Sequence, residues 1–244
     1  MKYLFLSLIL FSIISCREEE DDPVPSNYLR LSLNTHYNGQ PFNLNSTFST
    51  QEGYHIQFTK LNFILSNVMN GTNELTPAAV FKYSNNPTLI YEGEGDYTKF
   101  NALTGNIGVG PDENHQDPSA LELNNPLQIQ NSGDMHWGWN PGYVFVMIEG
   151  KADTSTNLNG NMDYSFAYHI GMDHLLKSFE FNSINWQKVN DSVHNLEFDL
   201  DLAKLFNGIS QVDIKTEPMT HSMPNEQTLS TKIIENFMSG LTTN

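Results

Sequence analysis

Two places in this 244-residue chain gather side chains able to hold a metal. The first is Asp112, Glu113, His115 and Asp117, four such residues within six positions. The second begins at Met135 and His136, just ahead of Trp137 and Trp139, and resumes at His169 and Met172. Imidazole is the commonest ligand near neutral pH and suits copper and zinc, while thioether sulfur favours copper(I). The candidate ligands are therefore His115 and His169, then His136, with Glu113, Asp117, Met135 and Met172 as helpers. Taken singly, each His is better read as a partly buried, hydrogen-bonded side chain. Eight His scattered through the chain form no motif. Residue types and spacing reach a mononuclear metal site and go no further.

Other chemistries have less support. The chain carries no GxSxG elbow, no P-loop, no GxGxxG after a strand and no HExxH. Gly108-Val-Gly110 lacks the third Gly of a dinucleotide loop. Paired carboxylates for glycoside chemistry stay open, since their spacing in sequence is uninformative. With 12 Lys+Arg against 28 Asp+Glu, the formal net charge is −16. Such a surface repels phosphate backbones, which excludes nucleic acid as a partner.

The elements that must position these residues read as β. Charged residues are only 16%, and 11 Pro and 16 Gly favour short strands and turns. Alternating apolar residues predict strands at 28–33, 54–58 and 61–68, with shorter ones at 42–44 and 88–91. The remainder of 72–98 is loop-like. A long segment at 105–131 is poor in strand pattern, and loops of this length inside a domain are usually functional. Residues 143–148, six apolar in a row, suit a strand buried on both faces, entered through the Asn140-Pro141-Gly142 turn. Residues 162–170 form its return strand, so antiparallel pairing should bring His169 close to the Trp137–Trp139 turn. Further strands are predicted at 179–186 and 193–200. A short helix follows at 202–208, and apolar residues 229, 233, 234, 237 and 241 keep helical spacing. The expected fold is mainly β: an antiparallel, sandwich-like single domain over 28–244, with long loops and a short C-terminal helix.

The first residues read as a targeting segment. Lys2 precedes an apolar stretch at 4–14, too short for a bilayer-spanning helix of about 20 residues. Residues 1–15 are thus expected to be a signal peptide. Cys16, the only cysteine, sits where cleavage is expected and resembles the lipidated Cys of a bacterial lipobox. Residues 16–27 then read as a lipidated tether, with five successive acids before Pro23 and Pro25. That acidic run resembles the surface-export signal of Bacteroidetes-type lipoproteins; a solvated spacer facing the periplasm is the alternative. The expectation is an outer-membrane lipoprotein, with the cell surface as its destination under the export reading.

The string Glu113-Asn114-His115, then Pro126-Leu127, then Asp134-Met135-His136-Trp137-Gly138-Trp139, Gly142-Tyr143-x-Phe145 and Tyr168-His169-Ile170-Gly171 resembles the MbnP-like copper-binding proteins. The resemblance covers roughly 28–241, and the order NH, MxWxWxxGYxF, HxG is fairly specific. It implies a mostly-β extracytoplasmic domain that binds one copper through His115 and His169. Characterised members add a kynurenine, formed from a Trp two residues before the first His. Here that position is Glu113, so the third donor departs from the pattern and falls to Glu113 or to His136, which is peculiar to this chain. Trp137, Trp139 and Tyr143 would wall the site. The expected function is copper capture or handling without catalysis, with an envelope protein as a further partner. A different class of function also accommodates the aromatic turn: a glycan- or partner-binding lipoprotein that stacks ligands on exposed Trp and Tyr. A family scaffold without metal is the third reading.

Overall fold

The structure is a computed structural model, and it describes residues 27–84, 89–138 and 141–243. The signal peptide, Cys16, the acidic tether and Trp139 lie outside the described residues.

The strands in chain order begin with β1 (Tyr28–Tyr37), β2 (Gln40–Pro41), β3 (Thr47–Ser49), β4 (His55–Asn70) and β5 (Asn73–Lys82). They continue with β6 (Leu89–Glu94), β7 (Leu103–Ile107), β8 (His136–Gly138), β9 (Gly142–Asp153) and β10 (Tyr164–Gly171). The last are β11 (Lys177–Phe181), β12 (Gln187–Asn190), β13 (Val193–Asp201), β14 (Met219–Thr220) and β15 (Leu241–Thr243). The α-helices are α1 (Pro111–Asn114), α2 (Ile129–Ser132), α3 (Lys204–Asn207) and α4 (Gln227–Gly240).

Among the described residues the strands form two sheets. A six-stranded sheet runs β12-β13-β1-β2, with β15 on β13 and β6 on β1. A nine-stranded sheet runs β11-β7-β4-β9-β10-β14, with β3 and β5 on β4 and β8 on β9. Most ladders are antiparallel; β1 with β13 and β10 with β14 are parallel, so both sheets are mixed.

Alternation decides which face each strand gives to the core. Leu29, Leu31 and Leu33 of β1 and Leu196, Phe198 and Leu200 of β13 point inward from the smaller sheet. Phe58, Phe63 and Leu65 of β4 and Phe166, Tyr168 and Ile170 of β10 meet them from the larger. Helix α4 adds Ile233, Ile234 and Phe237 to the same core. The predicted strands at 54–58 and 61–68 are one strand, β4, because a register shift between Phe58 and Lys60 restores the inward alternation after a break.

The main departure from the sequence reading is β5. Pro77 and the polar start of this segment hide a ten-residue strand. Pro cannot donate to a ladder and is tolerated on an edge; β5 pairs with β4 alone.

Strand β9 is the centre of the larger sheet and is buried on both faces, as its apolar run predicts. Its outer face carries a second apolar cluster of Tyr143, Phe145 and Met147 with Ile64, Met135 and Leu127. The long segment after β7, which contains α1 and α2, supplies part of that cover. The loop that bears the first candidate ligand is therefore a lid packed on the sheet, not a free excursion.

Candidate metal centre

Asn114 anchors the lid to β9. It is fully buried, and its Oδ1 accepts the Tyr143 amide N–H at 2.8 Å. Its Nδ2 donates to Asp173 Oδ1 at 2.8 Å. The other Asp173 oxygen lies 3.0 Å from His115 Nε2. One carboxylate thus braces Asn114 and its neighbour His115, which is itself exposed. Burial opposes ionisation of Asp173, but the hydrogen bonds from Asn114 and His115 outweigh it and hold the carboxyl below its usual range.

Two glycines permit this approach. Gly142 has φ +73°, and a Cβ there would stand 2.3 Å from Asn114 Oδ1. At Gly171, a Cβ would stand 2.7 Å from both Trp137 Cζ3 and the Tyr143 carbonyl oxygen. Trp137 therefore lies on Gly171, two residues past His169, as antiparallel pairing of β9 and β10 predicts. Tyr143 is fully buried and donates its hydroxyl to the Leu127 carbonyl at 2.5 Å. Burial, with Asp117 nearby, pushes its phenol up to about 12.

His169 stands on the outer face of β10, directly across from Met147. Its Nε2 lies 2.9 Å from Glu149 Oε1, a diagonal neighbour on β9. Lys60 Nζ approaches the same oxygen at 3.5 Å and Asp134 Oδ2 at 2.9 Å. The His221 ring meets the His169 ring edge to face, centroids 4.9 Å apart. Burial lowers the His169 pKa, with His221 and Lys60 adding to the effect and Glu149 opposing it.

An ionised carboxylate accepts hydrogen bonds and donates none. Nε2 of both His115 and His169 therefore donates in these contacts, and in the neutral His169 ring, which burial favours, Nδ1 keeps the lone pair. A carboxylate on the distal nitrogen is the usual brace of a metal-binding imidazole, fixing tautomer and ring orientation.

The other two candidates have different surroundings. His136 meets Tyr143 edge to face, centroids 4.7 Å apart, and its buried Nε2 has no hydrogen-bond partner among the described residues. Burial depresses its pKa against the pull of Asp117. Glu113 is exposed and borders a cavity of about 90 Å³ with Gly110, Ser66, Asn67 and Pro77. Among the described residues no three His, Cys, Asp or Glu side chains stand together as a ready-made cation cage.

Sequence reasoning did not single out Asp173, Glu149 or His221. Glu149 becomes visible only through register, since it pairs with Ala167 beside His169. His221 had a local signal in its flanking Met219 and Met223.

The chain is similar in fold to a solved structure, MbnP from Methylosinus trichosporium. That chain is 12% identical, with a TM-score of 0.52 over 84% of this chain and 88% of the other. No curated protein matches the sequence. The family model described as MbnP matches residues 26–223, a span that includes β1 through β14 and every element around Asn114, Trp137 and His169. The chain belongs to the MbnP family.

Proposed function

We propose that the chain is an extracytoplasmic copper-binding lipoprotein that captures or handles the metal and performs no catalysis. The observation that carries this reading is the pair of carboxylate-braced imidazoles, His115 on Asp173 and His169 on Glu149. Asp173 follows His169 by four residues, so both braces belong to β10 and its neighbours. Copper, here the cargo, fits these donors: imidazole nitrogens with Met sulfur nearby suit it better than a hard cation. His115 would ligate through its imidazole and His169 through Nδ1. His136 is a better third donor than Glu113, because its buried Nε2 is unpartnered among the described residues. The lipid on Cys16 would hold the protein at the outer membrane.

Burial disfavours the aromatic-platform alternative. Tyr143 is enclosed and Trp137 is half-covered against Gly171, whereas a stacking surface needs exposed rings on one face.

Calorimetric titration of the full-length chain with copper(I) and copper(II) tests the reading. The expected result is a Kd of about 1 µM or below, weakened at least about tenfold by His115→Ala and by His169→Ala. Absence of binding, or affinity unchanged in both variants, overturns it.

A further inference from the structure

The segment Pro218-Met219-Thr220-His221-Ser222-Met223-Pro224 sits against the end of β10 that carries His169. Its burial alternates. Thr220 and Ser222 are fully buried, His221 is half-buried, and Met219 and Met223 are 50% and 49% exposed. Single exposed apolar side chains need no explanation. Two thioethers placed two residues either side of an imidazole, in a chain with nine Met, present a donor set.

The backbone beneath these side chains is held rigidly. Ser222 Oγ donates to the His169 carbonyl at 3.1 Å and accepts the Gly171 amide at 3.2 Å. One Glu226 oxygen accepts from the His221 amide at 2.7 Å, the Met223 amide at 3.3 Å and the Thr220 hydroxyl at 3.3 Å. Gln227 Nε2 donates to the Ser222 and Met223 carbonyls at 2.7 and 3.1 Å. The backbone is fixed while both Met side chains are half-exposed, so a ligand would have to order side chains only.

We propose that Met219, His221 and Met223 form a copper(I) acceptor site at the rim of the larger sheet, from which the ion reaches His169. Soft thioethers select copper(I) over harder ions, and the imidazole completes a three-donor set. The His221 and His169 rings are 4.9 Å apart between centroids. A metal about 2 Å from one nitrogen of each ring needs the centroids about 5–6 Å apart with both rings aimed at it, so the edge-to-face pair must turn about its side-chain torsions to pass an ion between them. Transfer is ligand exchange alone, and the copper stays in the +1 state. The proposal rests on the copper reading above and adds its entry point and preferred oxidation state.

The test uses the full-length chain with methyl-labelled Met. Silver(I), a redox-silent stand-in for copper(I), should shift the Met219 and Met223 methyl signals. A chelator competition should show the Met219→Leu/Met223→Leu double variant at least about tenfold weaker for copper(I) and within about twofold of wild type for copper(II). Leu conserves volume at these exposed positions, and an unchanged melting temperature controls for folding. Methyl signals that stay put, or copper(I) affinity within about twofold of wild type in both the double variant and His221→Ala, overturn the proposal. If that copper affinity still falls in His115→Ala and His169→Ala, the copper reading survives alone. A wild-type chain that binds neither copper state removes both.

Discussion

Asn114 Oδ1 accepts the Tyr143 amide at 2.8 Å, and this contact joins the lid to the central strand of the larger sheet. A backbone N–H at the start of a doubly buried strand must find a partner, and here a side chain 29 residues upstream supplies it. The same amide group reaches Asp173 and so sets the carboxylate that holds His115.

Replacing that side chain should therefore do two things. In Asn114→Ala the Tyr143 amide loses its partner in a fully buried site, which costs about 1–3 kcal/mol. Asp173 also loses a donor, and His115 loses a braced partner. The expected outcome is a lower urea midpoint with unchanged slope, and weaker copper binding than the stability loss alone explains. A variant within about 0.5 kcal/mol of wild type would mean that the apolar cluster under the lid holds it unaided.

Gly171→Ala probes the neighbouring contact. A Cβ there would meet Trp137 and the Tyr143 carbonyl at 2.7 Å, and one of these is backbone. The ring must move or the β9–β10 ladder must open, so a loss of about 1–3 kcal/mol is expected, the usual scale of overpacking. Trp137 fluorescence should change with it. His169 is only two residues away, so its imidazole signals should shift as well.

These two positions show what the sequence carries and what it hides. The six-residue apolar run predicts a doubly buried strand, and β9 is one, because period and composition are local properties. The Gly142 and Gly171 requirements are visible as residues but not as reasons, since each depends on a side chain more than 25 positions away. The parallel ladder of β1 with β13 joins residues about 165 apart and leaves no local mark. Strand β5 is concealed by Pro77, whose missing donor matters only if the strand has two neighbours. Among the candidate ligands, His115 and His169 stand out once their carboxylates are known. Those carboxylates come from register and from the turn after β10, neither of which spacing encodes.

The acid side of the stability profile follows from two half-buried imidazoles. Burial depresses the pKa of both His136 and His169 in the fold. Below the unfolded value of about 6.5 the unfolded chain takes up protons that the folded chain refuses. Their contribution is thus fully present above about pH 6.5 and is lost as pH falls from there through the folded values. Denaturant midpoints measured from pH 8 to pH 5 should fall in that window. His169→Gln should flatten the slope, and Lys60→Met, which removes a cation that lowers the His169 pKa, should shift its titration upward when followed by NMR.

Tyr143→Phe separates the lid from the sheet. The ring is enclosed and its burial is apolar, so Phe keeps the packing and removes only the hydroxyl. That hydroxyl donates to the Leu127 carbonyl at 2.5 Å, deep in the lid and out of the two-sheet core. Its loss leaves the buried Leu127 carbonyl without that donor, which costs about 1–3 kcal/mol. A contact confined to one layer should weaken that layer first, because regions open with their own free energies. Amide exchange should then accelerate at 111–132 while β1, β4 and β13 keep wild-type protection, and the Asn114 clamp should remain closed. Uniform acceleration across both sheets would instead make the lid part of a single cooperative unit. In that case copper held between His115 and His169 would stabilise the whole chain and not the lid alone.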